Sequence, residues 1–331
     1  MAVVATGFFD GVHLGHRQVI QALVSCARER GEEAIAVTFA QHPRTVLQQD
    51  AYALRLLNSP LEKEALLRSL GVDRVEALPF DRAFARLTAG EYLREVLVGR
   101  FGATALVLGY DNRLGSDRLT PDRIKPLAES LGLQVIIVSP ELRLQGAAPQ
   151  NFASLIPPTA SQRVPPVHEA TGGHGFAGQP LADAAGSEQY AISSTKIREA
   201  LERGEVEAAA AMLGYWYGLR GVVVGGKQLG RELGFPTANL RLYDPMKLIP
   251  KHGVYLTEIE LRGKRYWGMT NVGDVLETNI FDFQGDIYGA DLTVRFRHFL
   301  REDRPFDSLE ALQAQLAADE RACRALIARS V

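Results

Sequence analysis

The stretch that most limits what this chain can fold into lies near its start: Gly7-Phe8-Phe9-Asp10-Gly11-Val12-His13-Leu14-Gly15-His16. The apolar run Ala2 to Ala5 leads into it and reads as a buried strand. Ile20, Leu23, Val24 and Ala27 follow at helical spacing, with Gly31 as a stop signal. The ten residues are therefore a strand-to-helix turn. Unpaired N–H groups and the dipole at such a helix start favour a phosphate. Glycines at 7, 11 and 15 allow close approach of backbone to a ligand. His13 and His16 lie one helical turn apart, so both can face the same anion. Taken alone, a His-x-x-His pair also fits an ordinary helix start or a metal site.

Strands and helices continue to alternate up to about residue 140. Ala34–Phe39, Val75–Leu78, Thr104–Leu108 and Leu133–Val138 read as strands. Ser59-Pro60-Leu61-Glu62 and Thr88-Ala89-Gly90-Glu91 read as capping boxes that open helices. Near-continuous apolar strands joined by helices predict a parallel sheet covered on both faces. Ligands on such sheets sit at the carboxyl ends of the strands, where both Gly7–His16 and Gly109–Gly115 fall.

Composition narrows the class. A chain of 331 residues has room for two domains, and 46% hydrophobic with 23% charged residues is ordinary for a globular protein. A net charge of −2 gives no reason to expect a nucleic-acid partner. Cys26 and Cys323, far apart and both in helical patterns, predict no disulfide and a reducing, cytoplasmic setting. No basic leader or membrane-length apolar run is seen, so neither export nor a membrane partner is expected.

Residues 141–190 lose periodicity and become rich in proline, glycine and alanine, predicting a loop-rich connection. Order resumes at Ile192-Ser193-Ser194-Thr195-Lys196-Ile197-Arg198, whose hydroxyls read as a helix cap. After Gly214 the runs Leu219–Val224, Val254–Leu261, Tyr266–Asn271, Glu277–Phe283 and Leu292–Phe299 are strand-like, and Asp307-Ser308-Leu309-Glu310 caps a final helix. Antiparallel strands with one terminal helix predict a compact barrel.

Four motifs then carry a resemblance. His-x-Gly-His after a first strand resembles the signature of nucleotidyltransferases that move an adenylyl group from ATP. The full ten-residue string resembles the adenylyltransferase half of the bacterial bifunctional riboflavin kinase/FAD synthetases. Ser193-Ser194-Thr195-Lys196-Ile197-Arg198 resembles that family's second nucleotide motif, Ser-Ser-Thr-x-x-Arg. Gly225 to Asn239, with its Pro236-Thr237-Ala238-Asn239 core, resembles the riboflavin kinase motif. Glu277 in Glu277-Thr278-Asn279-Ile280-Phe281-Asp282-Phe283 falls at that family's catalytic base.

The resemblance implies a Rossmann-like nucleotidyltransferase domain with a parallel sheet, then an antiparallel β-barrel riboflavin kinase domain with a C-terminal helix. The expected bounds are 1–190, with 191–213 as connecting helices and 214–331 as the kinase domain. It implies phosphorylation of riboflavin to FMN and adenylylation of FMN to FAD, each with ATP. For the adenylyltransferase it implies His13 and His16 as catalytic donors to the α-phosphate. Gly7, Phe8, Asp10, Gly15, Ser194, Thr195 and Arg198 would bind ATP there, with Asp111 at FMN. For the kinase it implies Gly226, Lys227, Gly230, Gly234 and Thr237 at ATP, Thr237 and Asn239 on Mg²⁺, and Glu277 as base. Thr237 and Asn239 offer neutral oxygens two residues apart, which suits an ion that keeps waters and takes few protein ligands. The expected partners are these small molecules, with at most a weak homo-oligomer.

The chain departs from the family in four places. Asn112 and Leu114 stand at two Phe positions of a turn expected at flavin, and Ala40 and Gln41 alter the Phe-Glu-Pro-His-Pro-Arg string. Residues 141–190 form an insertion, and Asp274 follows Asn271-Val272-Gly273 where an Arg-Pro-Thr loop is usual. Two other readings stay open at this point: a kinase with a weakened adenylyltransferase half, and a flavin- or nucleotide-binding regulator without turnover.

Overall fold

The computed structural model describes residues 1–42, 55–139, 192–226, 230 and 233–330. Pro43, Arg44, Lys227 and the loop-rich segment 141–190 lie outside the described residues. The described residues divide into two compact units, 1–139 with 192–194 and those from 195 onward.

In the first unit the elements run β1 (Ala2–Thr6), α1 (Leu14–Arg30), β2 (Glu33–Phe39), α2 (Pro60–Ser69), β3 (Arg74–Leu78), α3 (89–100), β4 (Ala103–Gly109), α4 (Pro121–Ser130) and β5 (Gln134–Val138). The second part of α3, Tyr92–Arg100, winds as a π-helix. The sheet order is β3-β2-β1-β4-β5, and every pairing is parallel. Strand β1 is thus central, with Val3, Val4 and Ala5 wholly buried. The chain reverses direction around β1, so β1 and β4 end at the switch point of the sheet, where a ligand crevice forms.

Local signals act as the residues predict. Ser59 and Glu62, and Thr88 and Glu91, each exchange the two hydrogen bonds of a capping box. Gly31 ends α1 at φ 64°, and its N–H closes on the carbonyls of Ala27 and Arg28.

The second unit contains α5 (Ser194–Glu202), whose first residue belongs to the first unit, and α6 (Val206–Leu213). Strands β6 (Gly218–Val224), β7 (Thr237–Leu242), β8 (Gly253–Leu261), β9 (Lys264–Val272), β10 (Leu276–Ile280) and β11 (Asp291–Arg301) follow, then α7 (Leu309–Ser330). The six strands close as β10-β7-β6-β11-β8-β9, all antiparallel. One of them, β7, is absent from the strands expected after Gly214. Its Thr-Ala-Asn-Leu opening buries three consecutive residues, so no alternation marks it.

Inside the barrel Thr257, Thr270 and Thr278 are fully buried, linked by hydroxyl contacts of 2.9 and 3.0 Å. That chain of hydroxyls fixes the register of β8, β9 and β10. A slip of one residue would exchange the inner and outer faces of β10. Val254, Leu256, Met269 and Phe281 form a second apolar cluster with Cys323 of α7.

Candidate functional site

Two clusters answer to the predicted residues, one in each unit. The first is the turn after β1. Phe9 (φ 54°), Gly11 (φ 82°) and Val12 (φ 37°) all adopt left-handed backbone, a strained arrangement for the two bulky residues. Buried side chains hold it. Asp10 is 3% exposed, and its carboxylate accepts the N–H groups of Leu57 (3.0 Å) and Asn58 (3.3 Å). Asp10 therefore braces the turn. Ser194 Oγ, at the start of α5, donates to the Asp10 carbonyl at 2.8 Å. Two pieces of the resembling nucleotide motifs, 184 residues apart in sequence, thus meet.

His13 is the N-cap of α1, its Nδ1 accepting the His16 N–H at 3.3 Å. The neutral ring must then carry its proton on Nε2. The two imidazoles stack with centroids 3.6 Å apart, and Phe9 meets His16 edge-on. Burial lowers the His13 pKa from 6.5 to about 4. Burial, then the neighbouring His13 and Lys63, push His16 the same way. Both rings are neutral near pH 7, so each carries one ring N–H. His16 Nδ1 is buried without a hydrogen-bond partner among the described residues.

Lys63, on α2, is the residue that reading the sequence missed. It is 6% exposed, and its ammonium donates to the Phe8 carbonyl (3.1 Å), Thr38 Oγ1 (3.0 Å) and the Phe39 carbonyl (3.4 Å). It also lies 4.0 Å from the centre of the Phe8 ring. Burial lowers its pKa to about 8, against the opposing attraction of Asp10. The only trace in sequence is a lysine on the same helical face as Leu66 and Leu67.

Gly7 and Phe8 are half-buried at the end of β1, and Gly15 is the second residue of α1. Asp111 is exposed on the turn after β4. Of the two residues at the expected Phe positions, Leu114 joins the apolar core, and Asn112 Nδ2 donates to the Thr6 carbonyl at 2.9 Å. This turn is fastened without aromatic rings. Thr195 is exposed and Arg198 half-buried on α5.

The second cluster is set by strand register. Asn239 on β7 pairs with Val224 on β6 and with Glu277 on β10, and Glu277 pairs in turn with Asn271 on β9. Directly opposed residues share a face, so Asn239, Glu277 and Asn271 form one row on the outside of the barrel. Thr237, opposite Asn279, extends that face by two residues. Gly226 and Gly230 approach this face closely. A Cβ on Gly226 would lie 1.6 Å from Asn239 Nδ2, so a side chain there would displace the Asn239 amide. The Phe235 N–H donates to the Gly230 carbonyl at 2.7 Å, and a Cβ on Gly230 would come within 3.2 Å of Thr237 Oγ1. Gly234 supplies a left-handed turn (φ 83°). Glu277 is half-buried, Asn239 buried and Thr237 exposed. The shortened link after Gly273 is a closed hairpin: Val272 pairs with Leu276, and only Gly273, Asp274 and Val275 lie between them.

A family model described as FAD synthetase matches residues 1–147, and one described as riboflavin kinase matches residues 213–327. The bifunctional riboflavin kinase/FMN adenylyltransferase of Listeria monocytogenes is 30% identical over 99% of this chain and 93% of its own length. Those of Pseudomonas fluorescens and Escherichia coli K12 are each 31% identical, over 99% and 97% of this chain and 94% and 91% of their own. A crystal structure from Streptococcus pneumoniae, named as a macrolide-efflux protein, superposes with a TM-score of 0.78 at 31% identity, covering 98% of this chain and 93% of its own. Among the described residues of the present chain, no helix is long and apolar enough to cross a membrane. The chain belongs to the bifunctional riboflavin kinase/FMN adenylyltransferase family of transferases.

Proposed function

We propose that this chain makes FAD from riboflavin in two ATP-dependent transfers, one in each compact unit. The observation that carries the first transfer is the pairing of Glu277 with Asn239 across β10 and β7. It puts a carboxylate on the same face as the neutral oxygens of Thr237 and Asn239. Glu277 takes the proton of riboflavin's terminal hydroxyl as that oxygen bonds to the γ-phosphorus and ADP leaves. Such a base is worth about 10²–10⁴-fold. The oxygens of Thr237 and Asn239 suit Mg²⁺, and Gly226, lacking a side chain, leaves the space that the Asn239 amide occupies. When bound, the ion would offset the charge on the phosphates.

The second transfer needs no base, because the attacking FMN phosphate is already an anion. One of its oxygens bonds to the α-phosphorus of a second ATP, and pyrophosphate leaves. His13 and His16, neutral and at the start of α1, donate to the α-phosphate beside the amides of that helix start. Gly7, Phe8, Gly15 and Ser194 would line the ATP, Asp111 the FMN. Cys26 and Cys323 are free thiols, which supports a reducing, cytoplasmic setting.

Incubation with riboflavin and MgATP, followed by chromatography, tests the reading. FAD is the expected product. FMN alone would leave the kinase half only, and unchanged riboflavin would overturn both steps.

A further inference from the structure

Three asparagines share the outer face of β7, β9 and β10, and the protein itself holds two of them. Asn279 Nδ2 donates to the Pro236 carbonyl at 2.8 Å. Asn239 is packed directly against Gly226. Asn271 differs. It stands opposite Glu277 on one side and Val254 on the other, and its Oδ1 is buried with no hydrogen-bond partner among the described residues. A buried acceptor left unpaired is expensive to keep. The terminal torsion of an asparagine is also soft, so the amide can turn its oxygen toward the row that Glu277 occupies. The three-residue turn Gly273–Val275 is too short to fold back over that row.

We propose that Asn271 contacts the substrate, accepting a hydrogen bond from a hydroxyl of the polyol chain whose terminal hydroxyl Glu277 deprotonates. This inference rests on the kinase reaction proposed above. Cβ atoms of opposed residues in an antiparallel ladder lie about 4.5–5.5 Å apart, a span that a polyol of a few carbons covers. Asn271 then reads the side chain of the flavin and not its ring.

The test compares riboflavin with lumiflavin, which carries the same ring system and a methyl group in place of the polyol. Flavin fluorescence titrations would be run on the wild type, Asn271→Ala and Asn271→Ser, each with MgADP present. In Asn271→Ala the Kd for riboflavin is expected to rise about three- to tenfold, the loss of one hydrogen bond, with lumiflavin unchanged. Asn271→Ser, which keeps an acceptor, should fall between. Equal weakening of both flavins would make Asn271 merely structural, and an unchanged riboflavin Kd would remove it from the site; either result overturns the inference. Failure of the wild type to phosphorylate riboflavin would instead overturn the kinase reading.

Discussion

The two clusters hold their working groups by opposite means. In the first unit, burial does the work: Asp10, His13 and Lys63 are each under 10% exposed, and strained backbone at Phe9 and Val12 is held by their contacts. In the second, placement comes from ladder register, and Glu277 and Thr237 face solvent at least in part. The difference suits the chemistry proposed for each. Donating to a phosphate calls for neutral, aligned N–H groups, which desolvated imidazoles supply. Taking a proton, the role proposed for Glu277, calls for a carboxylate held within reach of the hydroxyl, which ladder register supplies.

Three changes probe that contrast. The largest effect is expected from Glu277→Gln. It should lower FMN formation by about 10²–10⁴-fold while leaving adenylylation of supplied FMN intact, each followed by separate product assays. Loss of both activities in a folded variant would break the division. Next comes Lys63→Met, which strips the donor from three acceptors around the Phe8 turn. Adenylyl transfer should fall roughly tenfold or more, in keeping with about 1–3 kcal/mol per orphaned group, with kinase turnover unchanged.

The smallest effect is on stability. The unfolded chain protonates His13 near pH 6.5, whereas the folded chain resists until about 4. Stability is therefore full above pH 6.5 and declines as pH falls toward 4. His13 alone should contribute a loss of about 1 kcal/mol between pH 7 and pH 5.5. Urea melts of the wild type against His13→Gln would show it, the variant having the shallower pH dependence.

How much was legible in the sequence follows the same divide. The first cluster is one contiguous string between a strand and a helix, so its existence and most of its residues could be read directly. Lys63 could not. Its burial depends on acceptors 24 to 55 residues away converging on one ammonium, and a lysine on a helix otherwise reads as surface. In the second cluster the glycine loop was legible as a motif. The partnership of Asn239 with Glu277, however, is a fact of register between strands 38 residues apart. Without the family resemblance, nothing local would single out Glu277 from any other glutamate on a strand. Asn271 escaped notice for the same reason: its meaning lies in what it fails to bond to.

The three-residue hairpin at Gly273–Val275 has one last consequence. A turn of that size offers no cover to the carboxylate two positions beyond it. On the kinase reading proposed above, the turn itself does not keep bulk solvent from a γ-phosphate held beside Glu277, and a water molecule becomes a rival acceptor. Slow release of inorganic phosphate in the absence of flavin, suppressed once riboflavin fills the space, is the leak such a short turn should leave behind.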